Sequence, residues 1–360
     1  ISHYARWTEK RDQLPYEVDG LVIKVNDLRH QTRLGVRLKS PRWALAYKFP
    51  ARQATTTVIR IEDSVGRTGA ITPVAHLTSV ELAGVTISRC TLHNFEEVKR
   101  LDVRVGDRVL LERAGDVIPH VVKVVASVRT GRQKPHHPPS ACPACGGTVA
   151  REKDAEVAWR CLNVSCPAQM ERAILHFGSR KGLDIEGLGE AAVEQLVARG
   201  LVKDLADLYR LTPEALQTLD LFADKKAAQL HARIQESRTR PLERFIYALG
   251  IRHVGERGAE ILAERFGNLE ALARVTEADL KTVPDVGPIF VASLVRFFHL
   301  PQTRALLKKF TSAGVRPVRA APAAAGPFSG EVIVFTGELP GMPRSEAEAR
   351  VRALGGKTAS

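Results

Sequence analysis

Four of the five cysteines fall in one stretch, CPACGGTVAREKDAEVAWRCLNVSC, which constrains the fold more than any other feature. The spacing is Cys142-x2-Cys145, fifteen intervening residues, then Cys161-x4-Cys166. Ile1 opens directly onto a polar, charged stretch that does not read as a secretory signal. In that setting, paired cysteines read as a tetrahedral thiolate site for zinc. The alternative is two disulfides or four free thiols. Four thiolates close the coordination shell, so the expected role is structural. Gly146 and Gly147 follow the first pair, where a tight knuckle is expected. Cys90, apart from the cluster, reads as a small core residue.

The chain of 360 residues is long enough for two to four domains. Its 44% hydrophobic content is globular, and no apolar run approaches the length of a membrane span. Lys and Arg outnumber Asp and Glu by 53 to 40, a net charge of +13 that favours a nucleic-acid partner through phosphate neutralisation. An acidic lipid surface is the competitor, but neither a basic amphipathic helix nor a lipidation motif supports it.

Two lysines stand in apolar strand-like runs. In PYEVDGLVIKV, Val22, Ile23 and Val25 predict a strand covered on both faces, and Lys24 breaks that pattern. In SPRWALAYKFPA, a strand over Trp43 to Phe49 puts Trp43, Leu45, Tyr47 and Phe49 on a core face. Ala44, Ala46 and Lys48 take the other face, which leaves room for an anionic ligand such as a phosphate. The bland reading is two unrelated surface lysines.

From about Thr55 to Arg129, short alternating strands separated by turn signals predict a small barrel of OB-fold length. Arg67, between Gly66 and Thr68-Gly69 in an exposed turn, is the candidate phosphate contact; an ordinary turn arginine is the alternative. RQKPHHPPSA is a Pro-rich linker, and His136 and His137 read as linker residues because the cysteines already complete a metal site. From Met170 to about Gly314, helix, Gly-containing turn, helix units recur in LDIEGLGEAAVEQL, LGIRHVGERGAEIL and VPDVGPIFVASL. Gly187, Gly189, Gly255 and Gly287 stand at matching places, where free backbone N–H groups can meet a phosphate oxygen. A weaker unit, TLDLFADKKAAQL, lacks the glycines. An Ala/Pro linker follows, and then a strand, Gly turn, helix, Gly turn pattern.

DGLVIK followed by WALAYKFPA resembles motifs IV and V of the nucleotidyltransferase domain of bacterial NAD-dependent DNA ligases. VGRTGAITPVA, TLHN and RAGDVIP resemble that family's OB domain, and CPxCGG with NxxCPAQ its zinc finger. The hairpin units are similar to helix-hairpin-helix repeats, and the last segment to the start of a BRCT domain. The resemblance implies a multidomain α+β chain. Residues 1–54 are then the C-terminal part of the adenylation (nucleotidyltransferase) domain, 55–131 an OB-fold β-barrel, and 132–169 a linker and four-cysteine zinc finger. Residues 170–314 are a helix-hairpin-helix array, 315–327 a linker, and 328–360 a partial BRCT α/β domain.

The resemblance also implies sealing of 5′-phosphate/3′-hydroxyl nicks in duplex DNA, in replication and repair, through enzyme–AMP and DNA–AMP intermediates. NAD would donate AMP, zinc would be structural, and magnesium or manganese catalytic. Lys24 and Lys48 would touch the adenylate phosphate, and Asp19 would help position the divalent metal or Lys24. The partner is nicked double-stranded DNA, with no membrane, for a monomer in the bacterial cytoplasm associated with the nucleoid. One departure stands out: the sequence contains no K-x-D-G segment, the source of the adenylated lysine. The family's nicotinamide-recognition region and motif III are missing as well. The chain is therefore read as an internal fragment of a longer protein, unable to self-adenylate. A non-catalytic DNA-binding scaffold is the rival, with no use for Lys24 and Lys48. A repair nuclease or helicase subunit would need a carboxylate cluster or a P-loop, and the sequence shows neither.

Overall fold

The computed structural model describes residues 2–16, 18–37, 40–113, 118–151, 156–163, 165–283, 286–318, 326–335, 341–342 and 344–359. The chain divides into two compact units, 1–169 and 170–360. No helix among the described residues is long and apolar enough to cross a membrane.

The first unit opens with the helix Ser2–Lys10, which the sequence pattern did not suggest. Tyr4 on this helix donates to the Lys48 carbonyl at 2.8 Å and packs on Tyr47 and Phe49, with ring centroids 4.4 and 5.3 Å away. Strand Gly20–Lys24 pairs antiparallel with strand Ala44–Lys48 as an isolated two-stranded ribbon. The expectation of a strand covered on both faces is corrected here. Val22 and Ile23 are 59% and 58% exposed, and Leu45 and Tyr47 on the supposed core face are 63% and 52% exposed. A lone ribbon has no second layer to bury it. Only Phe49, just past the strand, is buried.

The OB-type region is a five-stranded antiparallel sheet in the order Val85–Thr91, Ile71–Leu82, Arg52–Val65, Arg108–Arg113, His120–Val124. The long strand Arg52–Val65 changes partner midway. Arg52 to Thr57 pair with Arg113 to Arg108, and from Val58 onward the partner is Ile71–Leu82, with a register irregularity between Val58 and Arg60. Such a bulge bends and twists a strand, so one strand can serve both halves of a curled sheet. Val58, Ala75, Val109 and Leu111 supply its buried face. The expected closed barrel is corrected to an open sheet, because no ladder among the described residues joins its two edge strands. Helix Phe95–Leu101 packs against both Ile71–Leu82 and His120–Val124, so side chains close the core where a ladder would otherwise run. Cys90 lies at this seam as a small core residue, its Sγ 3.1 Å from the Pro119 carbonyl, and burial pushes its thiol up to about 11.

The second unit begins within helix Pro167–Gly178 and is built mainly of helices. Phe177, Phe245 and Phe310 meet at its centre with Tyr209, their ring centroids 5.1 to 6.3 Å apart. After helix Pro301–Ser312 the chain runs beside Arg238 to Leu242. Arg316 N donates to the Arg238 carbonyl at 2.9 Å and Leu242 N to the Val318 carbonyl at 2.9 Å. The first residues assigned to a linker are thus tied to the hairpin array. Strand Val332–Val334, helix Arg344–Ala353 and strand Lys357–Ala359 form a parallel βαβ unit. The Ala/Pro stretch 319–325 lies outside the described residues.

Candidate functional site

On the ribbon, register decides which groups share a face. Gly20 faces Lys48, Val22 faces Ala46, and Lys24 faces Ala44. Cross-strand partners point to the same side, and so do residues two apart. Lys24 and Lys48 therefore share one face, floored by Val22, Ala44 and Ala46. They stand at opposite ends of it, about 13 Å apart along the strand direction. Asp19 meets Lys48, not Lys24, with its carboxylate 2.9 Å from the ammonium. The Lys48 hydrogen bond holds the Asp19 carboxyl below its ordinary value of 3.8. Both side chains are about half exposed, which leaves them accessible to a ligand.

Beside Asp19 and Gly20 opens a cleft of about 820 Å³ that also reaches Arg11, Arg52 and Arg113. Arg11 donates to the Pro50 carbonyl at 3.1 Å, and Arg113 to the Ala83 carbonyl at 2.9 Å. Sequence reading missed these three arginines. Arg11 and Arg52 flank the two lysine-bearing segments and Arg113 opens RAGDVIP, so a basic residue in or beside a motif was the available signal.

The four cysteine sulfurs lie within 4.8 Å of one another, with Cys142 to Cys166 at 3.9 Å and Cys145 to Cys161 at 3.6 Å. Sulfurs about 2.3 Å from a tetrahedral zinc are separated by about 3.8 Å, so the donor set fits that ion. Val149–Ala150 pairs with Arg160–Cys161 to carry the two halves of the cluster. The Asn163 amide donates to Cys145 Sγ at 3.4 Å and is the main cause that draws this thiol down to about 6. Burial instead pushes Cys161 up to about 12. His136 stands apart from the cluster. Its Nε2 lies 2.9 Å from Asp63, and its ring stacks on Phe95 at 5.9 Å.

The Arg67 turn is not the exposed loop that its glycines suggested. Arg67 is half-buried. The strand Arg160–Cys161 lies against the turn: Cys161 N donates to the Gly69 carbonyl at 2.9 Å and Ile71 N to the Trp159 carbonyl at 2.8 Å. Gly69 has φ +74, and a Cβ there would stand 2.6 Å from the Cys161 carbonyl oxygen. Only glycine permits that approach. The contact pairs residues some ninety positions apart, so no local pattern announces it.

In the helical unit, Gly189, Gly255 and Gly287 are the N-cap residues of helices Glu190–Ala198, Glu256–Phe266 and Pro288–His299. Their backbones nearly coincide, and no side chain caps any of these helices. A Cβ at each of the three would meet nothing within 4 Å. Leu188 and Val254, just before the caps, are buried anchors.

Gly187 does not occupy the matching place. It precedes the cap by two residues with φ +90, where the other described hairpins carry Leu221 (φ +63) and His253 (φ +65). The unit without glycines folds the same way. Ala223 caps helix Asp224–Glu236 with extended backbone, and Phe222 is its buried anchor. Acidic residues follow three of the caps, and two are paired: Glu190 with Arg172 at 2.9 Å and Glu256 with Lys181 at 2.7 Å.

A lysine-bearing ribbon, an OB-type sheet, a four-thiol module and helical hairpins, in that order, define a modular α+β protein. Family models described as the NAD-dependent DNA ligase adenylation domain, OB-fold domain and C4 zinc finger domain match residues 1–52, 55–133 and 141–168. A helix-hairpin-helix motif matches 244–307. A protein of Geobacter sulfurreducens named DNA ligase is 49% identical over 359 residues, which is 100% of this chain and 53% of the relative. DNA ligases of Trichlorobacter lovleyi and Halothermothrix orenii are 51% and 48% identical, over 97% and 98% of the chain and 51% and 53% of theirs. The chain belongs to the NAD-dependent DNA ligase family. It spans about half the length of the curated relatives it matches.

Proposed function

We propose that this chain is the nick-gripping and phosphate-stabilising part of an NAD-dependent DNA ligase that seals nicks in duplex DNA. The observation that carries this reading is collinearity: the whole chain, from lysine ribbon to hairpins, aligns with proteins named DNA ligase. In this reading Lys24 and Lys48 stabilise negative charge on the adenylate phosphate from one face of the ribbon. Asp19 fixes the Lys48 ammonium, which replaces the role toward Lys24 expected from the motif. A divalent ion, magnesium or manganese, supplies further charge neutralisation when bound. Arg67 meets the DNA backbone from the OB turn. The uncapped N-termini at Gly189, Gly255 and Gly287 receive phosphate oxygens irrespective of sequence. Gly187 shapes the turn before its cap.

The βαβ order of the last segment supports its reading as the start of a BRCT domain. The chain acts as a monomer on DNA in the bacterial cytoplasm, associated with the nucleoid.

Covalent AMP transfer needs a nucleophilic lysine beside the phosphate, and this sequence holds no K-x-D-G segment to supply it. Incubation of the chain with labelled NAD and magnesium is expected to give no AMP adduct, while the chain binds nicked duplex more tightly than intact duplex. Label on Lys24 or Lys48 would show that these lysines attack instead of stabilising. Equal binding of nicked and intact duplex would favour the scaffold reading.

A further inference from the structure

We propose that Arg160 of the four-cysteine module is a positioning residue for the Arg67 turn, so that this module sets how the OB region meets the DNA backbone. The proposal rests on the reading of Arg67 as a backbone contact. Arg160 is 8% exposed, unusual for an arginine, and its guanidinium is spent on the neighbouring turn. Its Nη1 donates to the Thr68 hydroxyl at 2.9 Å and to the Thr68 carbonyl at 3.2 Å. Its Nε lies 3.6 Å from the Glu156 carboxylate, which balances the buried charge. Thr68 is the residue after Arg67, and it is exposed. The guanidinium thus holds the backbone next to Arg67 through an exposed residue of the same turn.

The clamp continues on either side. Ala70 and Arg160 form an antiparallel bridge, Cys161 N bonds to the Gly69 carbonyl, and Ile71 N bonds to the Trp159 carbonyl. Gln169 Nε2 also donates to the Cys161 carbonyl at 3.2 Å, the atom against which Gly69 is packed. Cys161 is therefore both a member of the thiol cluster and a backbone partner of the turn. A turn fixed at Thr68, Gly69 and Ile71 presents Arg67 in one geometry. Such pre-organisation lowers the ordering cost of a phosphate contact. If Arg160 merely stabilised the zinc module, its effect on DNA binding would be independent of Arg67.

The test is a double-mutant cycle on nicked-duplex affinity, in the full chain purified with zinc. Arg67→Ala and Arg160→Gln are each expected to weaken binding about fivefold to tenfold, with the double variant no weaker than the worse single, a coupling typical of one network. Arg160→Gln combined with Gly255→Val, in the helical unit, should instead be multiplicative. Zinc content should stay at about one per chain throughout. Thr68→Val removes one hydrogen bond from the other side and repeats the cycle should Arg160→Gln fail to fold. Arg160→Lys, which keeps the charge but loses the fork, should recover only part of the affinity. Multiplicative effects of Arg67→Ala and Arg160→Gln overturn the proposal while leaving Arg67 as a contact. So does full affinity in both Arg160→Gln and Thr68→Val. An inert Arg67→Ala overturns the reading of Arg67 and the proposal with it.

Discussion

The hairpin unit and the lysine ribbon solve burial in opposite ways. Phe177, Phe245 and Phe310 are 0 to 1% exposed at the centre of the helical unit, whereas Val22, Ile23, Leu45 and Tyr47 on the ribbon are more than half exposed. A region that buries its own apolar residues can present a rigid surface, and the uncapped glycine N-termini sit on such a scaffold. The ribbon carries Lys24 and Lys48 on strands that bury little of their own. DNA gripping is thus expected to be autonomous in this chain, and nucleotide chemistry is not.

The largest effect should come from metal. Structural zinc in small modules contributes an apparent ~10 kcal/mol or more. Chelation is expected to unfold 141–168 and expose the amides of Ile71 and Cys161, which bond across the turn, while Val109 in the OB core keeps its protection from hydrogen exchange. Cys161→Ser should act in the same direction and weaken nick binding.

Next is the core contrast itself. Phe310→Ala should cost about 3–5 kcal/mol in denaturant unfolding of the helical unit. Leu45→Ala, at a residue 63% exposed, should change stability by less than about 0.5 kcal/mol. Equal costs would erase the distinction.

Gly255→Val and Gly287→Val sharpen it on the DNA side. Neither Cβ meets a neighbour in the free chain, and both glycines have backbone angles open to other residues. Each should weaken nicked-duplex binding roughly tenfold, the value of about one hydrogen bond to a charged group, with little loss of helical stability.

The smallest effect concerns Asp19. Its carboxyl lies below 3.8 in the folded chain, so its contribution is complete above that pH and disappears as pH falls through the lowered value. The pair is half exposed and contributes less than about 1 kcal/mol. An NMR titration should place the Asp19 midpoint below 3.8, and Lys48→Ala should return it there.

What the sequence revealed depended on how local the cause was. The cysteine pairs and the caps at Gly189, Gly255 and Gly287 are each written within one knuckle or one turn and are found there, while Gly187 shapes the turn before its cap. The glycine-free hairpin reads as weak because its signal was taken to be glycine, yet buried Phe222 and the extended backbone of Ala223 suffice to form it. Asp19 was expected to position the divalent metal or its chain neighbour Lys24, and antiparallel register brings its carboxylate to Lys48. The burial of the Arg67 turn depends on Arg160 and Cys161, which only tertiary pairing brings near.

This chain, through its hairpin scaffold, is expected to grip the DNA backbone without the rest of a ligase. Equilibrium binding of this chain to nicked duplexes of unrelated sequence, measured from about 50 to 200 mM salt, tests it most directly. Similar affinities are expected for every sequence, with a fall of orders of magnitude across that range. A strong preference for one sequence, or binding indifferent to salt, would contradict that expectation.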